Sequence, residues 1–171
     1  MARQLISMIM FFEAKHVLPA LIDGHLHLTY DMRPKIYRKS ITNVAKLFII
    51  HGVLGVRDTG NYLSVDEVFH SFSKLPLIKT TYVIEKPPLN WPFMRPVFSL
   101  NDLEIRVKRA LVEGCSWFKL YVNVDDQLVD QAVKIAREHG LEITGHVNNI
   151  GIWKAIKAGF NCIEHLDSVE E

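Results

Sequence analysis

The sequence predicts an α/β fold with parallel strands, because apolar strand-like runs alternate with helical stretches along its 171 residues. Five of the runs read ALIDGHLHL, GVLGVRDTG, CSWFKLY, LEITGHV and NCIEHL. Four of these follow a stretch of helical periodicity that ends in glycine, at Gly52, Gly114, Gly140 and Gly159. Parallel neighbours cannot be joined by tight hairpins, so helical crossovers between strands indicate a parallel sheet.

The first half of the chain contains two predicted helices and a further strand. The first helix is predicted over residues 40–51, directly before a glycine that can adopt the left-handed cap conformation. Ser64 and Glu67 form a capping box, which predicts a second helix over residues 65–72. The β-branched, apolar residues 77–84 are predicted to form a strand, which leads into a proline-rich loop over residues 86–96.

The second half repeats the order of helix, glycine and strand. A helix is predicted over residues 101–114, followed by a strand over residues 117–122. The two later helices are predicted to begin at polar cap residues, namely Asp125 or Asp126 and then Asn149. Each of these helices ends at a glycine before the next apolar run, so the pattern continues to the end of the chain.

Composition limits the classes of partner. Lys and Arg number 20 against 19 Asp and Glu, and no long basic stretch occurs, so neither nucleic acid nor a membrane is predicted to bind. Cys115 and Cys162 lie far apart in sequence, which is typical of reduced thiols and of a cytoplasmic protein. The apolar residues 5–12 are too short for a membrane span and precede no cleavage pattern. We expect a β-segment remnant over residues 1–17 and one domain over residues 18–171.

Two architectures fit this pattern of elements: an open doubly wound sheet and part of an eight-stranded barrel. A doubly wound sheet normally has a glycine-rich phosphate loop after its first strand, and the sequence shows none. Polar residues instead follow the ends of the strand-like runs, where barrel enzymes place their active sites. We therefore predict a partial (β/α)8 TIM barrel with about six parallel strands.

His25 and His27 are predicted metal ligands. They lie two residues apart on a predicted strand, so both imidazoles share a face with Asp23 and can reach one cation. The pair also ends an apolar run, which places it at the predicted active-site rim of the barrel.

His146 and His165 end two successive later runs. Each could be a core histidine bonded to a backbone carbonyl, but their parallel positions favour a shared role. Gly145 and Glu164, which precede them, are expected on the opposite face of their strands. Imidazole and carboxylate ligands without thiolates indicate zinc, manganese, iron or cobalt.

Lys119 lies between Phe118 and Leu120 on a predicted buried strand, where an unpaired charge is unfavourable. One interpretation is a salt bridge to Asp58 or Glu164, which is the commoner use of such a lysine. The other is a neutral amine with a pKa lowered by burial, which reacts with carbon dioxide to give a carbamate that bridges two metals.

Taken in order, the runs LIDGHLHL, GVLGVRDTG, WFKLY, ITGHV and CIEH resemble the amidohydrolase superfamily, in its imidazolonepropionase-like and Xaa-Pro dipeptidase-like branch. The resemblance covers about residues 18–167. It implies a barrel of the metal-dependent hydrolase type. The ligands that it implies are His25 and His27 for a first metal, carboxylated Lys119 as a bridge, and His146 and His165 for a second metal.

The resemblance implies one or two divalent ions, with zinc as the first choice and Mn, Fe and Co as alternatives. It implies hydrolysis of carbon–nitrogen bonds in small amides, cyclic amides or dipeptides by a metal-activated hydroxide. Lys119 and His146 are predicted to take part in catalysis, whereas Arg57 and Asp58 match a recurrent pair with an expected structural part. Trp91 either lines a substrate pocket or packs within its loop, and no other substrate contact is predicted.

The family also requires an aspartate at the end of its last barrel strand. The sequence ends at Glu171, after six strand-like runs, so we expect a fragment or a truncated product without the seventh and eighth strands. Its first and last strands would then be open parallel edges that a second copy of the chain could cover. The alternative function is therefore an inactive half-barrel that serves as an interaction module.

Overall fold

The computed structural model describes residues 16–29 and 34–165, which form a parallel β-sheet with helices packed against it. The strands are β1 (Leu21–Leu26), β2 (Val53–Asp58), β3 (Leu77–Glu85), β4 (Arg95–Pro96), β5 (Trp117–Leu120), β6 (Glu142–Gly145) and β7 (Cys162–Ile163). The helices are α1 (Pro34–Ile50), α2 (Val65–Ser71), α3 (Leu100–Val112), α4 (Asp126–Glu138) and α5 (Ile152–Ala158).

The strand order confirms the predicted partial barrel. Six strands lie in the order β1-β2-β3-β5-β6-β7, and all neighbours are parallel. The short strand β4 pairs with the end of β3, within the segment that was predicted to be a long loop. No helix among the described residues is both long and apolar enough to span a membrane. The predicted β segment over residues 1–17 lies outside the described residues, apart from its last two positions.

Local capping signals place several helices as predicted. The Ser64 hydroxyl accepts the amide of Glu67 at 3.2 Å, and the Glu67 carboxylate accepts the amide of Ser64 at 3.0 Å, so the capping box is confirmed. Asp125 is the cap of α4, because its carboxylate accepts the amide of Leu128 at 2.9 Å.

Two predicted helix starts are wrong. Helix α1 begins at Pro34 instead of Ser40, and proline is favourable in the first turn of a helix, where its missing amide has no partner to lose. Helix α5 begins at Ile152 instead of near Asn149. The Asn149 side chain donates to the Val122 carbonyl in the segment after β5 at 2.8 Å, so it does not cap the helix.

The larger core lies between strands β3, β5 and β6 and helices α3 and α4. Helix α4 buries five residues on one face, as its apolar spacing predicts: Leu128, Val129, Ala132, Val133 and Ala136. Phe118, Leu120 and Ile143 are fully buried against this helical layer. This packing positions β5, which carries Lys119, and β6, which is followed directly by His146.

Gly145 pairs with Leu120 on β5, and a side chain there would meet the neighbouring strand. A Cβ atom there would lie 2.5 Å from the Leu120 carbonyl oxygen and 3.0 Å from the Phe160 ring. We expect Gly145→Ala to lower the free energy of unfolding by about 1–3 kcal/mol, measured by urea denaturation, because the strand must shift. Gly24→Ala is the control, since a Cβ there meets no atom within 4 Å. Equal stability of the two variants would contradict this account of β6.

Candidate metal centre

The structure brings the predicted ligands together at the carboxyl end of the parallel strands. His25 lies on β1, His27 just beyond it, His146 directly after β6 and His165 after β7. The ring centroids of His25 and His27 are 5.2 Å apart, those of His25 and His165 are 4.6 Å apart, and those of His146 and His165 are 4.8 Å apart. The four imidazoles therefore form one continuous cluster, although their role as metal ligands remains a prediction.

A local irregularity in β1 helps to aim the first pair. The pairing of β1 with β2 shifts register between Asp23 and Leu26, and such irregularities commonly redirect side chains beside active sites. Asp23 shares the strand with the histidines, but its carboxylate accepts the backbone amide of His25 at 3.1 Å. Asp23 therefore shapes the backbone beneath the pair.

The tautomers of His25 and His27 follow from their partners. His25 Nδ1 lies 2.6 Å from the Glu164 carboxylate, and His27 Nδ1 lies 2.7 Å from the carbonyl oxygen of Gly60. Neither oxygen has a proton to give, so each Nδ1 donates and each Nε2 presents a lone pair.

These two Nε2 atoms face each other at 3.3 Å. Two lone pairs at this distance repel unless a cation or a proton lies between them. Two nitrogens bound to one tetrahedral zinc at about 2.0–2.1 Å lie about 3.4 Å apart. The spacing of the Nε2 atoms therefore fits an ion of this size.

His146 presents a buried ring nitrogen to the histidine cluster. Its Nε2 atom is buried and has no hydrogen-bond partner among the described residues. Burial, with further contributions from Lys119 and His165, lowers the pKa of His146 to about 3, so the ring is neutral at physiological pH. His165 has a φ of 67°, an uncommon conformation for a residue with a Cβ atom that often marks functional sites.

Lys119 is almost fully buried, with 1% of its surface exposed. Burial lowers its pKa to about 8. The predicted salt bridge to Asp58 or Glu164 is wrong within the described residues: Nζ donates to the Thr59 carbonyl at 3.4 Å. Both carboxylates have other partners: Glu164 pairs with Arg57, and Asp58 accepts the Asn61 side-chain amide.

Strand alternation predicted that Glu164 lies on the opposite face of its strand, and this prediction is wrong. Strand β7 ends at Ile163, so the alternation of side chains no longer applies to the residue that follows. The carboxylate instead points into the sheet interior and contacts His25. A buried charge needs a partner of opposite charge. Arg57 and Glu164, which both lie in apolar runs, could therefore have been predicted as a pair from the sequence.

Arg57 and Asp58 tie β1 to β2, in agreement with their expected structural part. Arg57 Nε donates to the Gly24 carbonyl at 2.6 Å. Asp58 accepts the amide of Leu28 at 3.3 Å, and burial raises its pKa to about 6. Both residues thereby hold the strand that carries the first histidine pair.

An aromatic wall, formed by Trp91, Phe93 and Tyr121, stands beside His27 and Lys119 and lines a small pocket with them. Trp91 stacks on Phe93 with an angle of 12° between the rings, and Trp91 Nε1 donates to the Tyr121 hydroxyl at 3.3 Å. The two interpretations of Trp91 are therefore compatible, because it packs within its loop and also lines a pocket at the cluster.

Glu85 holds the loop that carries Trp91, and sequence reasoning missed it. Its buried carboxylate accepts the backbone amide of Asn90 at 2.7 Å and the side-chain amide of the same residue at 2.6 Å. The same carboxylate also accepts the backbone amide of Asn123 at 3.1 Å. The loops after β3 and β5 are thereby fixed to each other.

The ring contacts join the four histidines in the order His27, His25, His165 and His146. Across residues 16–29 and 34–165, no three side chains of His, Cys, Asp or Glu lie close enough together to hold one ion. Lys119 lines the same small pocket as His27. Burial, and after it the Lys119 charge, lowers the pKa of both His27 and His146.

Comparisons with known proteins identify the family of this sequence and the fold that it shares with solved structures. The sequence model of the amidohydrolase family matches residues 16–171. Ochratoxinase of A. niger superposes with a TM-score of 0.71 at 15% identity, over 90% of this chain and 48% of that one. A candidate prolidase from Bifidobacterium longum gives a TM-score of 0.69 at 17% identity, over 86% of this chain and 40% of that one. A bottromycin amidohydrolase gives 0.66 at 21% identity, over 88% of this chain and 33% of that one.

No curated protein matches the sequence. The likeness to the solved structures shows the fold, and the chain spans half or less of the length of each of them. The match to the family model extends over nearly the whole sequence, including every predicted ligand. The chain is therefore a member of the amidohydrolase family.

Proposed function

We propose that this protein is a metal-dependent hydrolase of carbon–nitrogen bonds, with small amides, cyclic amides or dipeptides as substrates. The observation that carries the proposal is the approach of the His25 and His27 Nε2 atoms to 3.3 Å, with each Nδ1 already bonded to an oxygen. The cofactor is one or two divalent ions, with zinc as the first choice and manganese, iron or cobalt as alternatives.

A bound ion would polarise the substrate carbonyl and would activate water near neutral pH. His25 and His27 would hold one ion through Nε2. His146 is neutral because its pKa is about 3, so it is ready to bind without losing a proton, and His165 lies beside it. The aromatic wall excludes water from one side of the cluster and offers an apolar surface to the substrate.

Lys119 fits the role of a carboxylated bridge. Because the pKa of Lys119 is about 8, a fraction of its amine is neutral at physiological pH. The Nζ lone pair attacks the carbon of carbon dioxide. A nitrogen–carbon bond forms, one carbon–oxygen π bond opens with its electron pair moving to oxygen, and the nitrogen releases one proton to solvent. The product is an anion, which replaces an unfavourable buried cation with a group that binds cations.

The test adds zinc to the metal-free protein in bicarbonate buffer and measures its binding by calorimetry. We expect one or two zinc ions to bind per chain, and carbon-13 bicarbonate to give a carbamate resonance on the folded protein. Hydrolysis of small amides and dipeptides should then depend on added metal. Zinc binding that is unchanged in the His25→Gln/His27→Gln double variant would contradict the proposal.

A cytoplasmic location belongs to the same proposal. Cys115 and Cys162 are both free thiols in the structure, which suits a reducing compartment. Burial raises the pKa of Cys115 to about 11, so that thiol is unreactive.

A second candidate function is an interaction module, and the exposed edge of the sheet favours it. Among the described strands, β1 pairs only with β2, and its residues Leu21 and Ile22 are 61% and 64% exposed. A second copy of the chain could cover this apolar edge. Sedimentation velocity over a range of concentrations tests this candidate. Self-association that Ile22→Lys abolishes, together with no metal-stimulated hydrolysis, would favour the module over the enzyme.

A further inference from the structure

We infer that Glu164 is a positioning residue that fixes the proton of the His25 ring on Nδ1 and directs its Nε2 atom toward His27. Arg57 and Thr144 hold the carboxylate in place. The inference rests on the proposed metal centre, because it concerns how one of its ligands is oriented. It adds a residue that neither the histidine pattern nor the family match assigns to the site.

The Glu164 carboxylate is held from three directions. Its Oε2 atom accepts from His25 Nδ1 at 2.6 Å, and its Oε1 atom accepts from the Thr144 hydroxyl at 2.5 Å. Arg57 Nη2 lies 2.9 Å from Oε1 and 3.2 Å from Oε2. The side chain is only 2% exposed, so water does not compete for these positions. Both oxygens have donors, and the carboxylate cannot rotate without losing charge-assisted hydrogen bonds.

Arg57 is itself anchored on several strands. Its Nε donates to the Gly24 carbonyl on β1 at 2.6 Å, and its Nη2 lies 3.3 Å from the sulfur of Cys162 on β7. The guanidinium carbon lies 4.4 Å from the ring centroid of Trp117 on β5, a cation–π distance. The Arg57–Glu164 pair therefore links the first and last described strands across the sheet interior.

The carboxylate selects between the two tautomers of His25. A carboxylate only accepts, so it favours the ring with a proton on Nδ1 and a lone pair on Nε2. The opposite tautomer would direct an Nε2 proton at His27 Nε2, 3.3 Å away, and close the position that an ion requires. Outer carboxylates that bond the far nitrogen of a ligand histidine orient the ring and strengthen it as a ligand.

The first test reads the tautomer directly in the metal-free wild-type protein. Histidine labelled with nitrogen-15 gives long-range proton–nitrogen correlations that distinguish a protonated Nδ1 from a protonated Nε2. His25→Gln identifies the signals of His25, and His27 serves as an internal reference because its Nδ1 bonds the Gly60 carbonyl. We expect both rings to carry the proton on Nδ1. A His25 ring protonated on Nε2 would overturn the inference, whatever the protein hydrolyses.

The second test measures zinc affinity by competition with a chromophoric chelator. Glu164→Gln should weaken binding about 10–100-fold, the usual effect of losing an outer carboxylate. Glu142→Gln is the matched control, since Glu142 is exposed at the start of β6, and its affinity should equal that of the wild type. Circular dichroism checks that both variants fold.

If Glu164→Gln does not fold, Thr144→Val tests the same role of the Glu164 carboxylate. It removes one donor to the carboxylate and leaves the Arg57 pair intact, so a smaller loss of zinc affinity is expected. Wild-type affinity in a folded Glu164→Gln variant would overturn the inference. A wild-type protein that binds no zinc would instead refute the proposed function, and the tautomer measurement would still decide the role of Glu164.

Discussion

Lys119→Met is expected to make the metal-free protein more stable near neutral pH and to remove metal-dependent hydrolysis. The wild-type lysine is 1% exposed, and burial lowers its pKa from 10.5 to about 8. Below pH 8 this shift corresponds to about 3 kcal/mol that opposes folding, at about 1.4 kcal/mol for each pKa unit. Methionine has a similar shape and no charge, so it should recover most of this free energy.

The pH dependence supplies an independent check of this prediction. A lowered pKa means that the folded protein holds fewer protons than the unfolded chain between about pH 8 and pH 10.5. The wild type should therefore gain stability from Lys119 as the pH rises through this range, whereas the methionine variant should not. Urea unfolding of both proteins across the range measures the difference, which should shrink toward high pH.

Lys79→Met is the matched control, because Lys79 is exposed on strand β3. It should change neither stability nor its pH dependence by more than a few tenths of a kcal/mol. A Lys119→Met variant that is less stable than the wild type at pH 7 would contradict this prediction, because it would mean that the contact with the Thr59 carbonyl at 3.4 Å outweighs the unfavourable burial of the amine.

The same substitution removes the buried amine that could form a carbamate. If the carbamate completes the ligands of both ions, kcat/KM for a small amide should fall about 100–1,000-fold, equivalent to about 3–4 kcal/mol of transition-state stabilisation. Steady-state rates with added zinc and bicarbonate measure this loss. Full activity in the variant would exclude a role for Lys119 in hydrolysis while leaving the stability prediction untouched.

The second large effect concerns the facing histidines. His25→Gln and His27→Gln should each weaken zinc binding by more than about 100-fold, beyond the loss typical of outer residues, because each removes one of the two facing Nε2 atoms. The double variant should lose little more than either single variant, since both nitrogens serve the same ion. Chelator competition measures all three affinities.

His70→Gln is the control for these variants, because His70 is exposed at the end of α2 and remote in sequence from the predicted ligands. Its zinc affinity should be that of the wild type. Fully additive losses in the double variant would mean that His25 and His27 bind different ions or act independently, and the assignment of the pair to one ion would then be wrong.

Local sequence signals were sufficient wherever a single element determines the structure. The capping box at Ser64 and Glu67 was predicted correctly because both groups lie within one helical turn. The start of α5 was predicted wrongly because the best local cap, Asn149, bonds the carbonyl of Val122 on a different segment. Caps are thus predictable unless a distant acceptor competes for the side chain.

The sequence alone was sufficient to predict which side chains lie near the ends of the strands. His25, His27, Lys119, His146 and His165 follow apolar runs, and parallel strands bring such ends to one edge. The partners of these groups were decided only by the tertiary structure. Glu164 meets His25 across 139 positions of sequence, and Lys119 meets the Thr59 carbonyl instead of a carboxylate. Such contacts arise from the curvature of the whole sheet, which no local periodicity of side chains encodes.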